Sequence, residues 1–349
     1  ILAGFGLKDS ISSIMPRQYG KVFNYDIQVN LKSGLEDEQL EKYINQLQQK
    51  EEISKIAEVY MMSTKLSGEK VEEDAQIIVP KNNETLKDII SIIDLESQNK
   101  IELNSEEIVI TDKAAQLLDV KIGDNINLKD NDGNIIQAKI GNIAENYINH
   151  YVYMSKELYQ KLYNEKYSTN VLLVNDNNLS TEQEEQISKE MLNANEVTSV
   201  SAMATFTDMI NDTLKSLNYV VVVLIVTAGM LAFVVLYNLS NVNISERIRE
   251  LSTLKVLGFY DKEVYNYVAK ETTILTAIGI LLGLVGGFFL NYFIIETCEI
   301  NMLRFAKVIN PISYVYSILI TIVFTLIVNI VTYFTLKKID MIESLKSVE

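Results

Sequence analysis

Three long stretches of this 349-residue chain contain no charged side chain. They cover residues 216–245, 272–295 and 308–336 and are 30, 24 and 29 residues long. A helix needs about 20 apolar residues, each adding about 1.5 Å, to cross roughly 30 Å of hydrocarbon. A buried helix of a soluble protein rarely continues that far without a charge. The sequence therefore predicts three transmembrane helices, at about residues 217–240, 271–296 and 312–336.

The charges beside these stretches predict the orientation of the chain. The connection at residues 241–271 carries five Lys and Arg residues, and three more follow the third stretch. The connection between the second and third stretches carries only Arg304 and Lys307. Positively charged loops stay in the cytoplasm. We therefore expect a multi-pass protein of the plasma membrane with residues 17–215 extracellular and the C-terminus cytoplasmic.

Composition excludes several classes of function. The net charge of −15 lies entirely in residues 1–218, which hold 21 basic and 36 acidic side chains, whereas residues 219–349 hold ten of each. A chain with no cationic surface is not expected to bind nucleic acid. Cys298 and His150 are the only residues of their types. An internal disulfide, a cysteine metal cage and a site of several histidines are therefore impossible within this chain, and we predict no catalytic residue, no metal site and no bound cofactor.

The acidic part alternates strand-like and helix-like patterns. Two β-α-β units are predicted, one from Val22 through the helix Leu35–Lys50 to the strand KIAEVYMMSTKL, and one from Thr169 through an acidic helix to the strand EVTSVSAM. A different, β-rich module is inserted between them at about residues 105–150. The predicted fold class is an α+β extracytoplasmic domain, with two β-α-β units and an inserted small β-rich module, joined to an α-helical transmembrane bundle.

Two features of the α+β part suggest chemistry that we do not favour. The aspartates of KDNDGN resemble a calcium loop, but Leu128 would occupy its first position and has no carboxylate, so a hairpin turn is favoured. His150 alternates with apolar residues and is expected on the face of a strand rather than at a reactive site.

Residues 1–16 are expected to form the outer end of a transmembrane helix whose beginning lies upstream, because the chain opens with the apolar sequence ILAGFGL and has no initiator Met. Such a helix would bring the acidic domain to the outside. We therefore expect the sequence to be a piece of a longer polypeptide.

An amphipathic stretch at about residues 244–258 follows the first predicted span. Ile244, Ile248, Leu251 and Leu254 fall on one helical face, and Gly258 stands where a helix would end. Two interpretations are open: a helix lying among lipid headgroups, or a helix that binds a cytoplasmic partner.

A resemblance to a known family bears on this choice. Glu246-Arg247 through Glu250-Leu251, followed by Leu254-Lys255-Val256-Leu257-Gly258, resembles a signature of FtsX-like, MacB-type (type VII) ABC transporter permeases. Lys270-Glu271 with the glycine-rich run after it, the tail from Lys338 to Lys346, and the outer segment IVITDKAAQLLDVKIGDNINL are similar to other segments of that family. The resemblance extends from about Tyr25 to the end, and the composition is similar to that of a permease half from a Firmicute-type bacterium.

The resemblance implies a permease subunit without enzymatic activity. ATP and Mg would be bound by a separate ABC ATPase, since the chain has no G-x-x-x-x-G-K-[ST] loop. The implied ATPase-coupling helix comprises Glu246, Arg247, Ile248, Arg249, Glu250, Leu251, Leu254, Lys255, Leu257 and Gly258. The implied function is mechanotransmission or export, in which ATP hydrolysis moves the outer domain, with export of or defence against peptides or lipid-like compounds. The alternative is an FtsX-type regulator that activates a cell-wall hydrolase.

Gly279, Gly283 and Gly287 recur at every fourth position of the second span. Small residues at this spacing allow another helix to approach closely in lipid. Two partners are possible, namely a second permease half or homodimer partner, or the chain's own third span. No charged residue lies deep within a span, so an ion relay is not expected.

Overall fold

The computed structural model describes residues 1–68, 71–130 and 133–337. The tail motif from Lys338 to Lys346, and Asn131 and Asp132 of the predicted hairpin turn, lie outside the described residues. The chain divides into two compact units. One, here called the α+β unit, contains Ser12–Leu214 and Glu299–Ala306. The other, here called the helical unit, contains Ile1–Ile11, Lys215–Cys298 and the chain from Lys307 onward.

The α+β unit contains nine strands among the described residues, and they form one hydrogen-bonded sheet system. The strands are β1 Ile27–Leu31, β2 Ile53–Ser67, β3 Glu72–Pro80, β4 Ile108–Thr111, β5 Asn125–Lys129, β6 Ile135–Ala144, β7 Tyr151–Tyr153, β8 Val171–Asp176 and β9 Val197–Ala202. The helices that begin before β9 are α1 Leu2–Ser12, α2 Ile14–Arg17, α3 Asp37–Gln48, α4 Asn83–Ile89, α5 Asp112–Leu118, α6 Lys156–Tyr163 and α7 Thr181–Leu192. A π-helical turn, Gln18–Val22, follows α2.

The two predicted β-α-β units meet in one antiparallel sheet of order β2-β8-β1-β9. This is the split β-α-β arrangement, in which strands from both ends of a segment interleave. Helices α3 and α7 cover one face of the sheet. The four side chains predicted for the apolar face of α3 are all buried there, namely Leu40, Tyr43, Ile44 and Leu47. They belong to one core cluster with Val29 of β1, Leu172 of β8 and Ile187 of α7. The predicted α+β fold class is confirmed.

The inserted β-rich module is joined to strands outside its predicted bounds. Strand β5 pairs with β2, and β7 pairs with β3, so that β2, β3, β7, β4, β6 and β5 close into a barrel-like ring. The 15-residue strand β2 belongs to both this ring and the β2-β8-β1-β9 sheet. A second core fills the ring and includes Leu66, Ile77, Ile108, Leu128 and Val152. The module is therefore completed by strands from outside residues 105–150.

The helical unit contains three long helices among its described residues: α8 Met203–Glu246, whose first turns belong to the α+β unit, α10 Asp261–Cys298 and α11 Pro311–Lys337. Their segments Tyr219–Glu246, Lys262–Cys298 and Pro311–Phe334 are long and apolar enough to cross a membrane. The helices α8 and α10 extend well beyond the predicted spans 217–240 and 271–296, and α11 closely matches 312–336. A charge-free run marks the apolar part of a helix, whereas helical hydrogen bonding continues through polar residues.

Residues 1–16 form α1 and most of α2. Within the helical unit, the ring of Phe5 lies 5.9 Å from that of Tyr316, and Asp9 accepts hydrogen bonds from the backbone of Asn310 and the hydroxyl of Ser313 at the start of α11. The strand expected from Val22 begins only at Ile27, because Val22 belongs to the π-helical turn.

Candidate functional site

The candidate ATPase-coupling region is a short helix between two long ones. Helix α8 ends at Glu246, Arg247 leaves helical geometry with φ −104° and ψ 12°, and α9 runs over Ile248–Val256. The amphipathic stretch expected as one helix at 244–258 is therefore broken, and Ile244 belongs to the last turn of α8. Arg247 therefore separates α8 from α9.

The end of α9 is set by Gly258. Its φ of +94° is one that residues with a Cβ rarely adopt. The N–H of Phe259 donates to the carbonyl of Leu254 and the N–H of Gly258 to that of Lys255, at 3.2 and 3.1 Å. This pair of bonds is the Schellman motif, which satisfies the last carbonyls of a helix. The predicted helix stop thus has a specific backbone cause.

The apolar face of α9 packs against α10 within the helical unit. Leu251 is 1% exposed and contacts a cluster formed by Ile244, Val264 and Val268, with Leu254 and Tyr265 at its edge. An ion pair joins the same elements, since a guanidinium nitrogen of Arg247 lies 2.7 Å from a carboxylate oxygen of Glu271. Packing and charge therefore both hold α9 to α10.

The opposite side of α9 is open among the described residues. Arg249 and Glu250 are exposed, and Val256, Leu257, Phe259 and Tyr260 expose 47–79% of their surface. Next to them is an open groove of about 620 Å³ between α9 and α10, lined by Glu250, Thr253, Leu254, Phe259, Glu263, Val264, Asn266, Tyr267 and Lys270. Aromatic side chains and Arg are enriched at protein–protein interfaces.

The structure thus separates the ten predicted coupling residues into two groups. Arg247, Leu251 and, in part, Ile248 and Leu254 face other residues of the helical unit, and Gly258 shapes the backbone. Glu246, Arg249, Glu250 and Leu257 are exposed, and Lys255 is half-buried. Sequence reasoning missed Phe259 and Tyr260, which follow the family signature. Two exposed aromatic residues directly after a helix stop are the signal that could have identified them.

The three predicted packing glycines have different surroundings. A Cβ on Gly287 would lie 3.0 Å from Leu2 of α1, whereas a Cβ on Gly279 or Gly283 would meet no described atom within 4 Å. One turn further along α10, a Cβ on Gly6 would clash with the side-chain oxygen of Asn291. Gly287 therefore packs against α1, a partner that neither sequence interpretation named. A dimer contact of Gly279 and Gly283 stays a prediction.

No group of three or more His, Cys, Asp or Glu side chains that could hold a metal ion occurs within residues 1–68, 71–130 and 133–337. His150 lies just before β7, rather than on a strand face, and is 2% exposed. Burial, together with the nearby charge of Lys113, lowers its pKa.

Comparison with known proteins identifies the membrane part of the chain. Residues 222–341, which contain α9 and its motif, match the family described as FtsX-like permease C-terminal. The resemblance predicted from the motif residues is confirmed for this region, which makes up about a third of the chain. This region is similar to the C-terminal part of FtsX-like permeases. No curated protein matches this sequence.

Two solved structures are similar to the α+β part. The periplasmic region of MacB from Actinobacillus actinomycetemcomitans shares 9% identity over 56% of this chain and 94% of that chain, with a TM-score of 0.32. The extracellular domain of the noncanonic ABC-type transporter YknZ from Gram-positive bacteria shares 14% identity over 47% of this chain and 90% of that chain, with a TM-score of 0.30.

Proposed function

We propose that this chain is the permease subunit of an ABC transporter of the mechanotransmission or export type. A separate ABC ATPase would hydrolyse ATP, with ATP and Mg bound on that subunit. The chain would couple the hydrolysis to movement of its α+β unit outside the cell. It would lie in the plasma membrane with residues 17–215 extracellular and the C-terminus cytoplasmic. A second permease half or a homodimer partner would complete the membrane part.

The observation that carries the proposal is the two-sided environment of α9. One side is fixed to α10 by Leu251 and by the Arg247–Glu271 ion pair, and the other side exposes Arg249, Glu250 and Leu257. A helix fixed on one side and open on the other can bind a partner and transfer the partner's movement to the long helices. The match of residues 222–341 to FtsX-like permeases supports this assignment.

The apolar helices restrict the kind of cargo. Residues 216–245, 272–295 and 308–336 carry no charge that could solvate a polar compound during passage through the bilayer. Transmission of a mechanical movement to the outer domain needs no such charges. The same holds for handling of peptides and lipid-like compounds at the outer leaflet. We therefore propose that the cargo is engaged at the outer face.

The test is co-purification of the full chain with an ATP-binding-cassette ATPase from the same cells. We expect Arg249→Glu and Leu257→Asp each to weaken the association at least tenfold, because both side chains are exposed on the open side of α9. Arg247→Glu instead breaks the pair with Glu271. It should loosen α9 from α10, seen as faster hydrogen exchange of the α9 amides.

Leu192→Asp is the matched control, since Leu192 is a similarly exposed apolar residue of the α+β unit, and it should leave ATPase association unchanged. Undiminished association of the Arg249→Glu and Leu257→Asp variants would contradict the proposed docking surface. Intact ATP-driven movement without export of any compound would favour the FtsX-type regulator.

A further inference from the structure

The short connection between α10 and α11 is built into the α+β unit. This connection, residues 299–306, is here called the strap. The chain on either side of it belongs to the helical unit, yet the strap packs with Ser12–Leu214. Its partners are the first two residues of α5, Asp112 and Lys113, and residues 145–150, here called the junction segment.

Two ion pairs hold the ends of the strap. The ammonium of Lys113 lies 2.5 Å from a carboxylate oxygen of Glu299, and both side chains are less than 10% exposed. Arg304 pairs with Asp112, which is 5% exposed at its side chain. The other carboxylate oxygen of Glu299 accepts the N–H of Phe305 at 2.8 Å, which closes the strap on itself. Opening either pair would leave a charge buried without a partner, which is strongly unfavourable.

Backbone bonds add the strap to the junction segment as a short strand. The N–H of Asn149 donates to the carbonyl of Met302 at 2.8 Å, and the N–H of Arg304 donates to that of Tyr147 at 2.9 Å. Ile148 and Leu303 form the antiparallel bridge between these bonds. The strap is thus held by main chain and side chains together.

The junction segment is also held by residues 17–21, which lie at the end of α2 and in the π-helical turn after it. The side-chain oxygen of Gln18 accepts the N–H groups of Tyr147 and Ile148 at 2.8 and 3.1 Å. Glu145, 2% exposed, lies 2.6 Å from the ammonium of Lys21. Burial acts to raise the pKa of Glu145, but hydrogen bonds from Lys21, Tyr147 and Gln98 outweigh it and keep that pKa below its usual value. Glu145 therefore stays charged and paired.

We propose that the strap and residues 17–21 form a clamp on the junction segment, and that this clamp stays closed while the transporter works. The chain leading from α1 and the chain joining α10 to α11 would then act on the α+β unit at one place. Lys113, Glu299, Asp112 and Arg304 are positioning residues of this clamp. The movement that the clamp would pass to the α+β unit depends on the proposed function. The contacts that keep the clamp closed do not depend on it.

The first test is a disulfide between the bridge partners in the full chain, assembled with its ATPase in membranes. Ile148→Cys and Leu303→Cys are introduced with Cys298→Ser. Partners in an antiparallel bridge have Cα atoms about 4.5–5.5 Å apart, which suits a disulfide. We expect the bond to form equally with and without ATP and to leave ATP hydrolysis within twofold of the reduced protein. Ile148→Cys with Ile300→Cys is the control that should not cross-link, because Ile300 is outside the bridge.

A cross-link that forms in only one nucleotide state, or that stops ATP hydrolysis, would show that the clamp opens and would overturn the proposal.

The second test reverses the charges of one pair. In wild type, a clamp that stays closed should give the same slow hydrogen exchange at Tyr147–Asn149 with and without ATP. Lys113→Glu should speed that exchange at least tenfold in both conditions, and Lys113→Glu combined with Glu299→Lys should bring it back to within threefold of wild type. Exchange at Tyr147–Asn149 that changes with ATP in wild type, or that is unaltered in Lys113→Glu, would contradict the proposal, and so would a folded double variant that restores nothing. If the variants do not fold, the disulfide test decides. If ATP changes hydrogen exchange nowhere in the wild-type chain, the proposed function fails, and the cross-link still tests the clamp.

Discussion

Glu184 is a buried carboxylic acid of α7 that contacts the start of the long helix α8. It is 5% exposed, and one of its oxygens accepts the N–H of Ala204 at 3.2 Å. Burial, together with the charges of Asp176 and Asp26, raises the pKa of Glu184 to about 7. Its charged form is therefore disfavoured in the folded protein. A carboxylate at this place makes the stability of the α+β unit depend on pH.

The sign of that dependence follows from the raised pKa. Between the unfolded pKa of about 4.5 and the folded pKa of about 7, the folded state binds more protons, so stability falls as pH rises through this window. Glu184→Gln cannot ionise and still accepts the N–H of Ala204. We expect it to remove a pH-dependent loss on the order of 2 kcal/mol between pH 5 and pH 8. The measurement is thermal unfolding of the full chain in detergent at both pH values.

Glu185→Gln is the matched control. Glu185 is the next residue of α7, its side chain is 47% exposed, and it pairs with Lys189 one turn later. Surface pairs of this kind contribute little. Equal pH dependence of wild type and Glu184→Gln would show that Glu184 does not carry the effect.

At the scale of elements, most predictions followed from local patterns. The face of α3 could be predicted because every fourth or third residue is apolar, and all four predicted side chains are buried. Ser180 begins α7 with a capping box that Gln183 completes. Helices α4 and α6 were not predicted, since seven- and eight-residue helices offer too few turns for periodicity to appear. The ring closes because β2 pairs with β5, whose residues are distant in sequence. A local pattern cannot predict such a pairing.

The glycines of α10 provide a prediction for a helix contact. Gly287→Leu should destabilise the protein by about 1–3 kcal/mol, because the new Cβ would approach Leu2 to 3.0 Å and displace α1. Gly279→Leu should change stability by less than about 0.5 kcal/mol, since no described atom lies near it. Thermal unfolding in detergent measures both. Equal destabilisation by the two changes would contradict the assignment of Gly287 to the α1 contact. Loss of a dimer in Gly279→Leu would place the Gly279 face at a subunit interface.

At the scale of the molecule, the orientation rests on eight positive charges on one side of the predicted spans against two on the other. It predicts that Leu257 and Cys298 face different aqueous compartments. In intact cells, a membrane-impermeant maleimide should label the native Cys298, which is exposed. It should label Leu257→Cys, made with Cys298→Ser, only after the cells are opened. Labelling of both positions in intact cells would refute the proposed topology and the coupling model with it.

The candidate site shows the same division between local and distant information. The end of α9 could be predicted from Gly258, and its apolar contacts from Ile244 and Leu251. The motif around these residues also indicates the family. That Arg247 pairs with Glu271 could not be inferred, because 24 residues separate them in the chain. Arg249 and Leu257 are exposed, whereas Arg247 is partly covered by its pair with Glu271 of α10. This difference likewise depends on where α10 lies.

Local sequence thus determined the apolar helices, the two β-α-β units, the charge asymmetry and the stop at Gly258, because helical and strand periodicity, hydrocarbon thickness and a positive φ each act over a few neighbouring residues. Only the tertiary structure decided that β2 closes a ring, that Gly287 meets α1, and that residues 299–306 bind Asp112 and Lys113. Those outcomes depend on which distant surfaces can bury apolar area and pair charges together. The Lys113–Glu299 pair, 186 residues apart in the chain, is the clearest example.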